Sequence, residues 1–205
     1  MSYEKDGAEI YRQSFATIRA ESDLARFPGG LERVVVRMIH ACGMTDLPAD
    51  VAFSSGVYDA AYDALQAGKP ILCDAQMVAS GITRKRLPKD NEVLCTLNDQ
   101  SVPGLAVLHD TTRSAAAVEL WRPHLEGAVV AIGNAPTALF HLLDLVAKGG
   151  PRPAAVLGIP VGFIGAAESK EALVASDLEH LVVRGRRGGS AIVSAAVNAL
   201  ATVVE

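Results

Sequence analysis

The sequence predicts an α/β fold: three layers, α/β/α, around a doubly wound, mostly parallel sheet of five to six strands. Three observations carry the prediction. From residue 51 onward, short runs that are apolar throughout alternate with helical stretches. Strands that are apolar on both faces belong to parallel sheets covered by helices on both sides. Between those runs the apolar residues recur at i, i+3, i+4 and i+7, which is the core-facing stripe of a helix. Finally, the 205 residues are half apolar and only 5% aromatic, enough for one aliphatic core and one domain over 1–205. Right-handed crossovers then give a flavodoxin-like winding.

The elements follow in order. Residues 8–25 read as a helix with Tyr11, Phe15 and Ile18 on one stripe. Residues 29–43 form a second helix. Leu31, Val34, Val35, Met38, Ile39 and Cys42 share one side of it, and Arg33, Arg37 and His40 share the other. VAFS (51–54) is a strand, followed by a helix over 56–67. PILCD (70–74) leads to a short helix at 75–80, and EVLCTL (92–97) is the next strand. A polar loop carrying His109 separates it from a helix at 112–121. AVVAIG (128–133) is a strand, and the helix at 136–148 has Pro136 in its first turn, where a missing N–H costs little. PAAVLGI (153–159), a helix at 167–175, LVVRG (181–185) and a helix at 190–204 complete the chain.

In a doubly wound sheet, ligands bind outside the carboxyl ends of the strands. The loops there contain MVASGITRKRLPK, GNAPTA, PVGFIGAAESK and GRRGGS. Small residues allow close backbone approach, and exposed helix N-termini attract anions. Thr83, Arg84, Lys85 and Arg86 follow one strand, and Arg184, Arg186 and Arg187 follow another. A single loop of this kind is an ordinary turn into a helix, but four on one rim exceed what turns require. The expectation is a basic, glycine-lined rim and an anionic small-molecule ligand.

Composition and motifs exclude several classes. A net charge of −4 argues against general nucleic-acid binding. No apolar run reaches the roughly 18 residues needed to span a bilayer, and no signal core opens the chain. Cys42, Cys73 and Cys95 lack CxxC spacing, which points to reduced thiols in a cytoplasmic protein. GxxxxGK[ST], GxGxxG and GxSxG are all missing, which counts against a nucleotide-binding flavodoxin-like module or a hydrolase. The five histidines show no HxxxH or HExxH spacing, so no metal is expected. His124 and His180 read as surface residues near element ends, and His141 as a satisfied core residue. Asp74 ends a buried strand, where it either caps a helix or lines the site.

Several long strings resemble the precorrin-8X methylmutase family. They are YRQSFATIRAE (11–21), VVRMIHACG (35–43), AGKPILCDAQMVASGITRKRLP (67–88), NEVLCTL (91–97), TRSAAAVELW (112–121), VVAIGNAPTALFHLL (129–143), AAVLGIPVGFIGAAESKEAL (154–173) and GRRGGSAIVSAAVNAL (185–200). Together they cover nearly the whole chain; 101–110 matches least well. The resemblance implies an isomerase of cobalamin biosynthesis with an α/β/α fold, no cofactor and a homodimeric state with sites near the subunit interface. Its reaction moves a methyl group from C-11 to C-12 of precorrin-8X, giving hydrogenobyrinic acid. It assigns the catalytic histidine to His40 and substrate contacts to Ser14 and Arg37, with Thr83, Arg84 and Arg113 as further contacts. Nothing carries over to His109, and Arg187 stands where a less charged residue is expected.

The chemistry suits those residue types. The substrate is a flat ring bearing many acetate and propionate arms, so donors must be spread around a broad cleft. A methyl shift between adjacent ring carbons needs no nucleophile, but protonating a ring nitrogen would polarise the ring, and a histidine fits that task. A tetrapyrrole carrier holding the acidic product is the reading of a different class.

Overall fold

The computed structural model describes residues 3–202. In chain order its elements are α1 (Gly7–Glu21), α2 (Gly30–Cys42), β1 (Val51–Phe53), α3 (Val57–Gln66), β2 (Ile71–Cys73), α4 (Gln76–Gly81), β3 (Val93–Leu94), α5 (Val102–Leu108), α6 (Arg113–Glu119), β4 (Val129–Ile132), α7 (Pro136–Ala147), β5 (Ala155–Gly158), α8 (Ala166–Val174), β6 (His180–Val183) and α9 (Ser190–Leu200). The six strands form one sheet in the order β1-β6-β5-β4-β2-β3, parallel except for β1. With β1 set aside, the spatial order of the parallel strands is the flavodoxin-like 2-1-3-4-5 winding.

The expected three layers are present. Alternate residues of each central strand enter different cores: Ile71, Cys73, Val129 and Ala131 face one, Leu72, Val130 and Ile132 the other. The first core is closed by α2, α3, α4 and α9, the second by α6, α7 and α8. Apolar strand runs therefore follow from burial on both faces. The whole of 34–39 in α2 is buried, including Arg37, because α9 covers one side and α1 the other.

Several boundaries differ from the sequence reading, each for a local reason. β1 runs antiparallel to β6, with Val51 opposite Val183. Helix α2 already ends at the carboxyl rim, and the short segment 43–50 cannot carry the chain to the opposite end before β1 begins. Helix α1 stops at Glu21, where Ser22 turns extended. β3 is only two residues long because Thr96 turns away to bond the Ala117 carbonyl at 2.8 Å. The loop expected at 101–110 contains α5, whose single fully buried residue, Val102, gave no apolar stripe to recognise. His180 is buried, not superficial, with Nδ1 2.8 Å from the Leu178 carbonyl oxygen. His141 is half-buried, with Nε2 2.6 Å from Glu119 Oε1. Helix α9 ends at Leu200; of the predicted span to 204, residues 203–204 lie outside the described ones.

Candidate active site

Helix α1 lies across α2 like a bar, and two clefts of about 400 Å³ each open on either side of it. Positions 10, 13, 14 and 17 face one and positions 8, 11, 12 and 15 the other, each set at i, i+3, i+4 and i+7. Asp6 starts α1 by accepting the Ala8 N–H at 2.9 Å. Phe15 and Ile18 are its buried anchors.

The first cleft contains His40 and Ser14, with Ile10, Gln13, Thr17, Ile18, Ile39, Gly43 and Thr45 around them. His40 is exposed on the last turn of α2. Gly43 ends that helix at φ 70°, a left-handed conformation that glycine adopts without strain, and the chain turns away to leave the imidazole at the mouth. The second cleft contains Arg37, only 8% exposed, together with Ala8, Tyr11, Arg12, Phe15 and Arg86.

Two aromatic rings join the clefts. Phe15 lies 5.2 Å from the His40 ring, edge-on, and 4.9 Å from the Arg37 guanidinium carbon. Tyr11 lies 5.4 Å from the His40 ring and 5.9 Å from Arg37. The arginine is thus held by cation–π contacts with the same two rings that the histidine meets. Partial burial, and secondly the positive charge of Arg37, hold the His40 imidazole below its usual range. A charged acid at this position therefore needs negative charge brought from outside.

Thr83, Arg84 and Arg113 line neither cleft. The Thr83 N–H donates to Asn198 Oδ1 at 2.8 Å, which pins the 81–83 turn to α9. Arg84 is exposed beside it, and Arg113 donates to the Leu97 carbonyl at 3.2 Å in the opposite helical layer. The basic rim is also less free than its composition suggests. Arg184 pairs with Glu171 at 2.7 Å, and Arg187 pairs with Asp46 at 2.7 Å and Asp50 at 3.5 Å. Arg187 thereby ties the 185–189 turn to the segment just after α2. Gly188 is required there, since a Cβ would lie 2.4 Å from the Ile159 carbonyl oxygen.

Asp74 does not face either cleft. Its buried carboxylate accepts N–H groups of Gly133, Asn134 and Ala135 at 2.9, 2.9 and 2.6 Å, at the start of α7 rather than of the helix that follows it in sequence. Burial raises this carboxyl above its ordinary range, against the lowering effect of those donors. Among the described residues, no group of three or more His, Cys, Asp and Glu could hold a metal ion.

Residues 9–203 match the CbiC family model, precorrin-8X methylmutase. The chain belongs to the precorrin-8X methylmutase family. A precorrin-8X methylmutase of Pseudomonas aeruginosa is 60% identical over 204 residues, covering 98% of each chain. One from a Sinorhizobium species is 55% identical over 201 residues, covering 97% of this chain and 96% of the relative. The crystal structure of a Thermus thermophilus precorrin-8X methylmutase superposes with a TM-score of 0.87 at 40% identity, over 95% of both chains. The family is one of isomerases, and the α/β fold expected from the sequence is the fold of its solved members.

Within this methylmutase fold, sequence reasoning missed Tyr11 and Phe15 as walls and Arg86 as a lining residue. The i, i+4 spacing of the two aromatics was visible, but only the position of α1 over α2 turns a core stripe into a cleft wall. Arg84, Lys85 and Arg86 occupy one 3₁₀ turn, whose side chains fan out at about 120° intervals. No pattern in four consecutive polar residues reveals which of them faces inward.

Proposed function

We propose that this chain is a precorrin-8X methylmutase that moves the methyl group from C-11 to C-12 of its ring, releasing hydrogenobyrinic acid. In this reading the C-11 bond to the migrating methyl breaks as the C-12 bond forms. His40 lends a proton to a ring nitrogen and recovers it afterwards, so the step is balanced without an added electron or group. The observation that carries the reading is the pairing of His40, at an open cleft mouth, with a buried guanidinium held beneath the same two aromatic rings.

The electrostatics fit a many-armed acid. In the empty site, burial and Arg37 favour neutral imidazole; arriving carboxylates reverse that balance and charge His40 when the ring is seated. Ser14 in the same cleft supplies a hydroxyl for the ring edge or an arm. Thr83 and Arg84 serve as contacts for outer arms, reached by a ring larger than either 400 Å³ cleft, while Arg113, in the opposite helical layer, meets the ring of a second copy in the homodimer. The Pseudomonas and Sinorhizobium relatives, at 60% and 55% identity, are named for precorrin-8X and not for cobalt-precorrin-8, which supports a metal-free ring as substrate.

The chain works as one domain over 1–205, in the cytoplasm and as a homodimer. No helix of the described residues is long and apolar enough to cross a membrane. Phe163 and Ile164, 83% and 91% exposed on the loop after β5, favour an interface with a second copy.

The test is spectroscopic. Mixing the protein with precorrin-8X should produce the corrin spectrum, and His40→Ala should abolish turnover while retaining the coloured product. Binding without conversion by the parent protein would leave a tetrapyrrole carrier as the function. Turnover at the parent rate by His40→Ala would remove His40 as the acid.

A further inference from the structure

Gln13 has no role in the reaction as described so far, yet it lines the His40 cleft together with Ser14, Thr17 and Thr45. Its amide has one orientation. Nε2 donates to Glu9 Oε1 at 2.6 Å, one helical turn back along α1. The same carboxylate accepts Arg12 Nη2 on Oε1 at 2.5 Å and Arg12 Nε on Oε2 at 2.7 Å. Those donors, Arg12 first and Gln13 second, hold the Glu9 carboxyl down at about 2, so it is ionised and can only accept. Turning the amide over would set oxygen against oxygen. Gln13 Oε1 is therefore the end left for a ligand, and no described residue donates to it.

A hydroxyl donates or accepts as its ligand requires, so Ser14, Thr17 and Thr45 do not select. An amide oxygen whose own NH₂ is already engaged is an acceptor alone. It disfavours a carboxylate arm, which is likewise an acceptor at neutral pH. The groups of the tetrapyrrole that can donate to it are the ring N–H groups. No described residue lining this cleft carries a guanidinium or an ammonium, so the cleft suits the ring nitrogens better than the acidic arms. His40 opens onto the same cleft, and the proton it is proposed to lend goes to a ring nitrogen.

We infer that Gln13 is a specificity-determining contact whose amide oxygen accepts a hydrogen bond from a ring N–H of the tetrapyrrole, selecting the metal-free ring over one that carries cobalt. The inference rests on the methylmutase reading and deepens it. In a cobalt-bearing ring the four nitrogens bind the metal and no N–H remains. The amide oxygen then loses its water to a ring that offers no donor in return, so the cost falls on the wrong substrate. Glu9 is the positioning residue. Without its charge the amide can turn over, and the acceptor faces the cleft only part of the time.

Two variants test it, with hydrogenobyrinic acid and its cobalt(II) complex as the probes and ring absorbance as the readout. Gln13→Met keeps the length of the side chain and removes the acceptor. It should raise the dissociation constant of the metal-free acid about tenfold, as loss of one hydrogen bond does, and that of the cobalt complex by less than about twofold. The acidic arms are the same in both probes, so their contacts cancel in the comparison, and a bond between cobalt and His40 is common to parent and variant. Glu9→Gln leaves Gln13 in place and should lose part of the same discrimination. Gln13 is exposed and Glu9 half-exposed on α1, so both variants should fold like the parent. If Gln13→Met weakens both probes equally, or binds the metal-free acid as tightly as the parent does, the contact is overturned while the methylmutase reading stands. If the parent protein neither binds nor converts the corrinoid, that reading falls and the contact falls with it.

Discussion

Arg37→Met isolates the electrostatic coupling on which the proposed acid depends. The guanidinium lies 4.9 Å and the imidazole 5.2 Å from the Phe15 ring centre, so the two groups are at most about 10 Å apart. His40 is open to solvent, which screens the interaction and calls for a high effective dielectric constant. At that limit of about 10 Å and a dielectric constant of about 40–80, Coulomb's law gives at least about 0.4–0.8 kcal/mol, or at least about 0.3–0.6 of a pH unit. The sign follows from the charges. A cation disfavours the imidazolium, so its removal raises the pKa of His40 in the free enzyme. Burial, the larger cause of the lowering, remains, and the imidazole should stay below its ordinary value. The measurement is an NMR titration of the His40 ring signals in the free protein, at low salt and again at about 1 M, where the screening length falls to about 3 Å. The parent and the variant should differ by the stated amount at low salt and converge at high salt. A variant titrating at or below the parent value at low salt would refute the coupling.

Further consequences follow from other parts of the structure. Because bound carboxylates raise the His40 pKa that burial and Arg37 lower in the free enzyme, the basic limb of kcat against pH should lie above that of kcat/KM; coincident limbs would contradict substrate-assisted protonation. Asp74→Ala leaves three buried N–H groups without an acceptor and should lower stability by about 3 kcal/mol or more in urea unfolding, with Asp74→Asn losing less. Lys170 is fully buried, donates to the Val183 and Arg187 carbonyls at 2.7 and 2.6 Å, and is lowered by burial to about 8. The unfolded chain then binds the extra proton between about pH 8 and 10.5, so Lys170 contributes a rise in stability with pH across that window, against the fall contributed by the three cysteine thiols that burial raises; Lys170→Met should remove the rising contribution and make the slope more negative than the parent's. Arg187→Gln breaks exposed ion pairs to Asp46 and Asp50 and should change stability by less than about 1 kcal/mol in the same assay.

The sheet was legible because its strands are buried on both faces. Val129–Ile132 and Ala155–Gly158 are wholly buried, and only an apolar run can occupy such positions. The direction of β1 was not legible, since periodicity carries no information about which end of the sheet a strand enters. Helix α5 was hidden because half of it faces water, with Val107 and Leu108 83% and 75% exposed. The wheel of α2 put Arg37 and His40 on one face, and the structure keeps them there. It could not show that α1 covers that face and leaves the guanidinium only 8% exposed. The charge of the 184–187 turn was read from composition, which does not register acids elsewhere in the chain. Asp46, Asp50 and Glu171 come to that turn through tertiary structure alone.

The position of the clefts follows from how the switch point of the sheet is filled. In a 2-1-3-4-5 winding the crevice between the first and third parallel strands, here β2 and β4, is where an anion ordinarily meets a helix N-terminus. Asp74 closes that position from within. It ends β2, and its carboxylate takes the N–H groups of 133–135 that a phosphate would otherwise take. A nucleotide arriving there would meet a buried acid and no free donors, in keeping with the absence of phosphate-binding motifs. On the proposed reading, anion recognition comes from the clefts beside α1, which Arg37 and Arg86 line on one side and Ser14 and His40 on the other. A surface site bridged by two aromatic rings suits a broad, flat acid better than a narrow crevice does. On this argument Asp74→Gly should open the crevice to inorganic phosphate, detectable as thermal stabilisation that the parent lacks. Equal stabilisation of both proteins by phosphate would show that the crevice is not closed by Asp74.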